Sequence, residues 1–256
     1  KLAPNDNEPM VHYYLYALTN DKSELDKAEN SDSLYCFPNR LEDITVLEKA
    51  IYNGGNYAAY YLGCLFYDKG RWEESKELWE KCADNIKLPT VYRNLSLVYY
   101  NKLKDGNSAL KAMEKAFSID KSDARIFFEL DQLYKTLNFS LEKRLANMNA
   151  NADLLEKRDD LYTEYITLLN MNGEYDNAYN RIMNHNFHPW EGGEGKIPAQ
   201  YRIALINKAK AEKNTEKNTE KAIEYLEKAL VYPYNLGEGK LIGNMDNDIY
   251  YMLGNL

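Results

Sequence analysis

No stretch of this 256-residue sequence approaches the roughly 20 consecutive apolar residues that a membrane-spanning helix needs. An excess of positive charge is missing as well. Lys and Arg number 32 against 40 Asp and Glu, a formal net charge of −8, which argues against a nucleic-acid backbone or an anionic membrane as partner. Cysteine is scarce: Cys36, Cys64 and Cys82 cannot all pair, and a chain of this size needs no disulfide framework. They read as small buried hydrophobes in a reducing compartment. The segment Lys1 to Met10 has neither the basic start nor the apolar core of a secretory signal. Sustained period-two alternation between Gly/Asn turns is also lacking, which excludes a core of β-strands. We therefore expect a soluble, cytoplasmic, all-α protein.

What is present is a repeat. Leu62-Gly63, Phe66, Gly70, Trp72, Ser75, Trp79 and Cys82 follow the spacing of a tetratricopeptide unit. Leu62 and Phe66 share one face of a first helix, Gly70 permits the turn, and Ser75 and Cys82 let a second helix approach while Trp79 fills the gap. The small residue of the second helix recurs at Ser75, Ala109, Lys143, Ala178 and Ala222, with steps of 34, 34, 35 and 44 residues. Lys143 departs from the rule, so the third unit is the least regular. These periods predict an α-solenoid of antiparallel helix pairs forming a right-handed superhelix over residues 41–256, with Leu41 to Tyr52 capping the first repeat and the last repeat incomplete. Residues 1–40 read as an N-terminal strap holding one short helix, His12 to Leu18, and an extended Cys36-Phe37-Pro38. The Lys-Asn-Thr-Glu tandem of Lys213 to Glu220 reads as a solvated turn, or a frayed helix end, between the two helices of the fifth unit.

The 44-residue step carries about ten residues beyond the ordinary period of about 34. They lie at Pro189-Trp190-Glu191-Gly192-Gly193-Glu194-Gly195-Lys196-Ile197, a word that returns in register at Pro233-Tyr234-Asn235-Leu236-Gly237-Glu238-Gly239-Lys240-Leu241. Both insertions join a second helix to the next first helix, so stacking predicts that they emerge side by side. Two readings stay open. In one, His188, Trp190, Glu191, Glu194, Lys196, Tyr234, Glu238 and Lys240 form a ligand-binding site, with flat rings for stacking and carboxylates and ammonium groups for polar contacts. In the other, the glycines make tight turns and each glutamate caps the N-terminus of the following helix.

Sharper motifs fail. Ile197 and Leu241 stand where a phosphate-binding loop needs Ser or Thr, and Gly237-x-Gly239-x-x-x-Gly243 misses the dinucleotide spacing by one residue. His185, His188 and Glu191 have a conceivable metal-ligand spacing, but Pro189 and the glycines break the helix that would align them. No cofactor and no metal is expected. A second surface follows from helical register. With Leu62, Leu95, Leu130 and Tyr165 taken as equivalent, the inner line of the first helices holds Tyr57, Tyr60, Arg93, Asn94, Arg125, Phe128, Glu129, Gln132, Asp160 and Thr163. Tyrosines mixed with Arg, Asn and acids suit a polar chain, peptide or sugar; an exposed helix face kept polar for solubility is the plainer reading. Arg125 and Glu129, four apart, read first as a surface pair.

The run His185-Asn186-Phe187-His188-Pro189-Trp190-Glu191-Gly192-Gly193-Glu194-Gly195-Lys196, with Pro233 to Leu241, resembles bacterial proteins in which a domain of unknown function is attached to tetratricopeptide repeats. Tyr61-Leu62-Gly63 with Trp79, Arg93-Asn94-Leu95, Glu129-Leu130-Asp131 and Arg158-Asp159-Asp160-Leu161 are similar to further signatures of that family. The resemblance implies an N-terminal β-sandwich of galactose-mutarotase type preceding Lys1, a carbohydrate-related role, and a partner that is either that sandwich or another polypeptide, with a saccharide as a further candidate. It also implies candidate catalytic carboxylates, since glycoside hydrolysis uses two at a defined separation. Glu191, Glu194 and Glu238 are the residues available. Scaffold and enzyme component remain alternatives here.

Overall fold

A computed structural model describes residues 8–32, 35–216, 218–240 and 246–256. The chain divides into two compact units, Lys1–Lys121 and Ser122–Leu256. Among the described residues there is no strand. Leu241 and Gly243 of the nucleotide-motif tests, Lys217 of the tandem, and residues 1–7, 33 and 34 of the expected strap lie outside the described residues.

The first unit is built from α1 (Pro9–Thr19), α2 (Lys22–Glu29), α3 (Leu41–Tyr52), α4 (Asn56–Asp68), α5 (Trp72–Ile86), α6 (Pro89–Leu97) and α7 (Gly106–Ile119); Val98–Lys102 prolongs α6 as a π-helical turn. The starts are sequence-encoded. Pro9 and Pro89 occupy the first turns of α1 and α6, where a missing N–H costs nothing, and the carboxylates of Asp21 and Asp105 cap α2 and α7. Gly70, at φ +77°, reverses the chain between α4 and α5. In the α4/α5 hairpin a Cβ on Gly63 would overlap the Trp79 indole, and the Ser75 hydroxyl donates to the Gly63 carbonyl at 2.7 Å. Trp79 is buried and donates from Nε1 to the Tyr60 carbonyl at 3.1 Å.

The segment expected to be a strap with one helix is instead a helical hairpin, α1/α2, followed by an irregular stretch through Cys36-Phe37-Pro38. Tyr13, Tyr16, Leu25 and Ala28 from that hairpin are buried in one core with Leu47, Ala50, Tyr61 and Leu62. The boundary drawn at residue 40 therefore runs through packed apolar side chains, and the division between compact units falls after residue 121. Glu29, on α2, shows how closely the hairpin is tied in. Its carboxylate accepts from the backbone N–H groups of Asn56, Tyr57 and Ala58 at 2.8, 2.8 and 3.1 Å, supplying α4 with a cap from 27 residues away, and from the Tyr13 hydroxyl at 2.6 Å.

The second unit contains α8 (Ala124–Thr136), α9 (Leu141–Ala150), the single turn α10 (Ala152–Leu155), α11 (Asp159–Met171), α12 (Tyr175–Met183), α13 (Lys196–Ala211), α14 (Thr219–Ala229) and α15 (Asn247–Gly254). At the tandem, Glu212–Glu216 prolongs α13 as a π-helical turn, which is a helix end rather than a turn alone, and α14 begins at Thr219. Leu130 and Tyr165, like Leu62 and Leu95 in the first unit, are buried.

The small-residue position needs one correction. Ser75, Ala109, Ala178 and Ala222 are each the fourth residue of their helix and fully buried, but the fourth residue of α9 is Arg144, not Lys143. The cause is one extra turn residue. The N-cap residues Arg71, Asp105 and Glu174 directly follow the positive-φ residues Gly70, Lys104 and Gly173, whereas Phe139 separates Asn138 (φ +59°) from the cap Ser140. A buried arginine thus stands where the other hairpins have serine or alanine.

Candidate functional site

The two glycine-punctuated loops, between α12 and α13 and between α14 and α15, do meet. The Phe187 N–H donates to the Asn235 carbonyl at 2.9 Å, and the Asn235 side chain donates back to the carbonyls of Ile182 and His185 at 2.7 and 2.9 Å. Gly237 sits at the closest approach with φ +72°, and a Cβ there would overlap the Phe187 carbonyl. Here glycine is required twice over, by conformation and by space.

The matching glutamates have different roles. Glu238 accepts from the Gly195 N–H at 2.7 Å, so it serves the N-terminus of α13. That is a cap, but on α13, two helices back along the chain, rather than on the helix after its own loop. Lys240 donates to the Leu230 carbonyl at 3.1 Å and pairs with Asp246. Tyr234 is fully exposed. His188 is also exposed; its backbone N–H and the His185 ring both reach Asp159, at 2.7 Å each, which pins the first loop to the start of α11. The two histidines converge on that carboxylate rather than on Glu191, and no group of three or more metal-ligating side chains occurs among the described residues.

Glu194 lies elsewhere. Together with Trp190, Glu191 and Lys196 it lines a cleft of about 630 Å³ whose opposite wall is Phe128, Gln132 and Lys135 of α8. Asp160, Thr163, Glu164 and Thr167 of α11, and Ala199 and Gln200 of α13, complete it. Glu238 instead lines two other hollows, one with Arg202 and Asp248 and one with His188, Tyr234 and Asn235. The side-by-side loops therefore do not pool Glu194 and Glu238 in one pocket.

The cleft unites two sets of residues that the sequence offered separately. Phe128, Gln132, Asp160 and Thr163 came from the inner line of the first helices, and Trp190, Glu191, Glu194 and Lys196 from the loop. Lys135, Glu164 and Thr167 were missed, although they lie one helical step from Gln132, Asp160 and Thr163 and carry the same face onward. Arg125 and Glu129 pair with each other at 3.2 Å and do not line the cleft. Tyr57, Tyr60, Arg93 and Asn94 belong to the first unit. There Tyr57 and Tyr60 pack beside Tyr61, with ring centroids 6.4 and 5.4 Å from it, and the Asn94 amide is 3.9 Å from the Cys64 sulfur.

Charge inside the cleft is largely settled by the protein. Arg158 holds Asp160 through two hydrogen bonds of 3.0 and 2.6 Å. Glu164 accepts from Lys135 and from Arg144, the latter itself bonded to Asp131. Burial alone would raise the Glu164 carboxyl, but Lys135 and Arg144 overcome it and hold the group below its ordinary value. Glu191, Glu194 and Lys196 are exposed, and no ion pair among the described residues engages them. Gln132 keeps a buried Nε2 without a hydrogen-bond partner.

No family model matches the chain. Solved structures do resemble it. The C-terminal part of a TPR repeat-containing protein from Cytophaga hutchinsonii is 15% identical and aligns with a TM-score of 0.53, covering 88% of this chain and 84% of that one. A tetratricopeptide repeat protein from Parabacteroides merdae is 14% identical with a TM-score of 0.47, covering 96% of each chain. YrrB, a TPR protein with an unusual peptide-binding site, is 19% identical with a TM-score of 0.49, covering 72% of this chain and 90% of its own. No helix among the described residues is long and apolar enough to cross a membrane. With its helix hairpins and the Cytophaga likeness, the chain has an all-α, tetratricopeptide-like solenoid fold.

Proposed function

We propose that this protein is a helical-repeat binding module whose cleft in the second unit receives an extended segment of polypeptide. One observation carries the reading: the first helices α8, α11 and α13 and the first glycine loop converge on about 630 Å³ of mixed polar and apolar space, within the size of ligand pockets. The buried, unpartnered Nε2 of Gln132 adds to it, because such a donor costs free energy until an acceptor arrives. Selection of short peptides on the purified chain, repeated on Ala199→Trp, tests this. Ala199 is exposed and lines the cleft, so the tryptophan fills it without touching the core. Peptides that bind the parent chain and lose binding to the variant support the proposal. Equal binding to both refutes it.

The resemblance of the two loop words carries a finer proposal. The chain is then the helical part of a larger bacterial protein, and the segment that meets it comes from its own N-terminal β-sandwich or from another polypeptide. A cytoplasmic location goes with this reading, supported by the unpaired Cys36, Cys64 and Cys82, whose thiols burial pushes up to about 12, 11 and 12. A second reading rests on a separate observation: Trp190, Glu191 and Glu194 share the cleft, and a flat ring beside two carboxylates is the chemistry of a sugar site. In that case the module would complete the site of a carbohydrate-active enzyme. Glycan binding or glycoside turnover lost in both Glu191→Gln and Glu194→Gln, with peptide binding absent throughout, selects the sugar.

A further inference from the structure

The charge ledger of the cleft points to the chemistry of its occupant. Four carboxylates line it, Asp160, Glu164, Glu191 and Glu194, against two ammonium groups, Lys135 and Lys196. Two of the carboxylates are already neutralised from within. Arg158 clasps Asp160, and Arg144 and Lys135 share Glu164. What remains is Glu191 and Glu194 against Lys196, an excess of one negative charge at the loop side of the cleft. Lys196 is outnumbered there, and the positive end of α13 is partly taken, because Glu238 already accepts from the Gly195 N–H. An acidic segment would meet an excess of negative charge and a helix terminus whose Gly195 N–H is already taken.

Trp190 directly precedes these charges in sequence, and its indole is set by the loop. A Cβ on Gly193 would overlap the ring, so the bare backbone of Gly193 forms one side of the indole's seat, and the Gly193 N–H donates to the Trp190 carbonyl at 2.9 Å. A tryptophan ring that shares a cleft with two carboxylates outside any ion pair suits a lysine or arginine side chain: the ring takes the charge by its quadrupole or the stem by apolar contact, and the carboxylates take the cationic head. On the far wall, Gln132 Nε2 offers a buried N–H to an acceptor, and the main-chain carbonyl of an extended segment is the acceptor always at hand.

We propose that the cleft selects a basic segment, with a lysine or arginine side chain on Trp190 between Glu191 and Glu194 and a main-chain carbonyl of the same segment on Gln132 Nε2. This rests on the reading of the cleft as a polypeptide site and adds the sign of the charge. The probe is a short labelled Gly-Ser peptide bearing lysines at regular intervals, compared with counterparts bearing glutamine or glutamate at the same places. Binding is followed by fluorescence anisotropy, and occupancy of the cleft by the indole N–H resonance of Trp190. The lysine peptide should bind about tenfold more tightly than the glutamine peptide at low ionic strength, with the advantage shrinking as salt is added. The double variant E191Q/E194Q should lose that advantage and keep its circular dichroism, and K196Q should widen it. A glutamate peptide that binds as well as the lysine peptide, or an unchanged preference in E191Q/E194Q, overturns the proposal. If every peptide shifts the Trp190 resonance without regard to charge, the basic preference is wrong while the cleft remains a peptide site. If none shifts it, the polypeptide reading itself falls.

Discussion

Arg144 and Asp131 face each other through two hydrogen bonds, Nε to Oδ1 at 3.1 Å and Nη2 to Oδ2 at 2.6 Å. They stand where the α4/α5 hairpin brings the Ser75 hydroxyl against the Gly63 carbonyl. In α8/α9 a buried ion pair thus stands where α4/α5 has its close helix contact, and Arg144 reaches on to Glu164 on the wall of the cleft at 2.7 Å. The pair links the third hairpin to the site.

Removing one member leaves the other buried without its counter-ion. Arg144→Ala should destabilise the second unit by about 3–5 kcal/mol, measured by urea unfolding, because Asp131 keeps its burial and loses its counter-ion. The double change Arg144→Leu, Asp131→Leu should recover most of that loss. Equal destabilisation by the single and double variants would show that the ion pair is not what the site depends on.

Gly63 and Trp79 give a second test, confined to the first unit. A Cβ at residue 63 has no room against the indole, so Gly63→Ala should cost about 1–3 kcal/mol through overpacking. Trp79→Leu, which removes the ring, should make the added methyl at residue 63 nearly neutral. A double-mutant cycle by denaturant unfolding reads this coupling directly.

The hairpins were legible because helix packing imposes local constraints that recur with the period. Leu62, Leu95, Leu130 and Tyr165 share one register and are all buried. Gly63, Ser75 and Trp79 act as their spacing implies. Harder to read were contacts that cross many residues. Nothing local marks Glu29 as the cap of α4, or Glu238 as the cap of α13, since each carboxylate travels to a helix end distant in sequence. Arg144 was hidden by a single inserted turn residue, Phe139, which moved the buried position one place along. Half of the cleft was visible as two unconnected lists. Their union needed the return of the first loop over α8 and α11, a matter of tertiary geometry that no period encodes.

Glu29 and the N-terminus of α4 yield a further expectation. Glu29→Ala strands three backbone N–H groups and the Tyr13 hydroxyl, and should cost about 1–3 kcal/mol. Hydrogen exchange at Asn56, Tyr57 and Ala58 should accelerate more than exchange in α7 of the same unit. Uniform acceleration across both would mean that Glu29 acts on global stability rather than as a cap.

The paired loops can be separated without touching the cleft-lining side chains. Gly237→Ala places a side chain at a left-handed residue, at about 1–2 kcal/mol, and against the Phe187 carbonyl. Both effects push the second loop from the first and withdraw Glu238 from the Gly195 N–H. The Gly195 amide should lose protection from exchange in Gly237→Ala and in Glu238→Ala alike. Protection kept in both would mean that the amide is shielded by something other than the second loop.

The tyrosines set the alkaline limit of the fold. Burial and the neighbouring Asp43 push the Tyr14 hydroxyl up to about 12; burial and Asp84 do the same for Tyr92, and burial with Tyr179 nearby for Tyr201. Tyr13, buried against Glu29, is raised further. A group whose folded value lies above its unfolded one favours the folded state fully while the pH is below the unfolded value, here about 10. That contribution fades as pH rises through the folded value. Stability should therefore hold up to about pH 10 and fall between about pH 10 and 12 as the unfolded chain sheds phenolic protons that the folded chain retains. Absorbance at the phenolate band should rise in two stages, exposed tyrosines such as Tyr52 and Tyr234 first and the buried set only with loss of the helical circular dichroism signal. A single smooth rise near pH 10 with the helices intact would show that these hydroxyls are far less shielded than their burial implies.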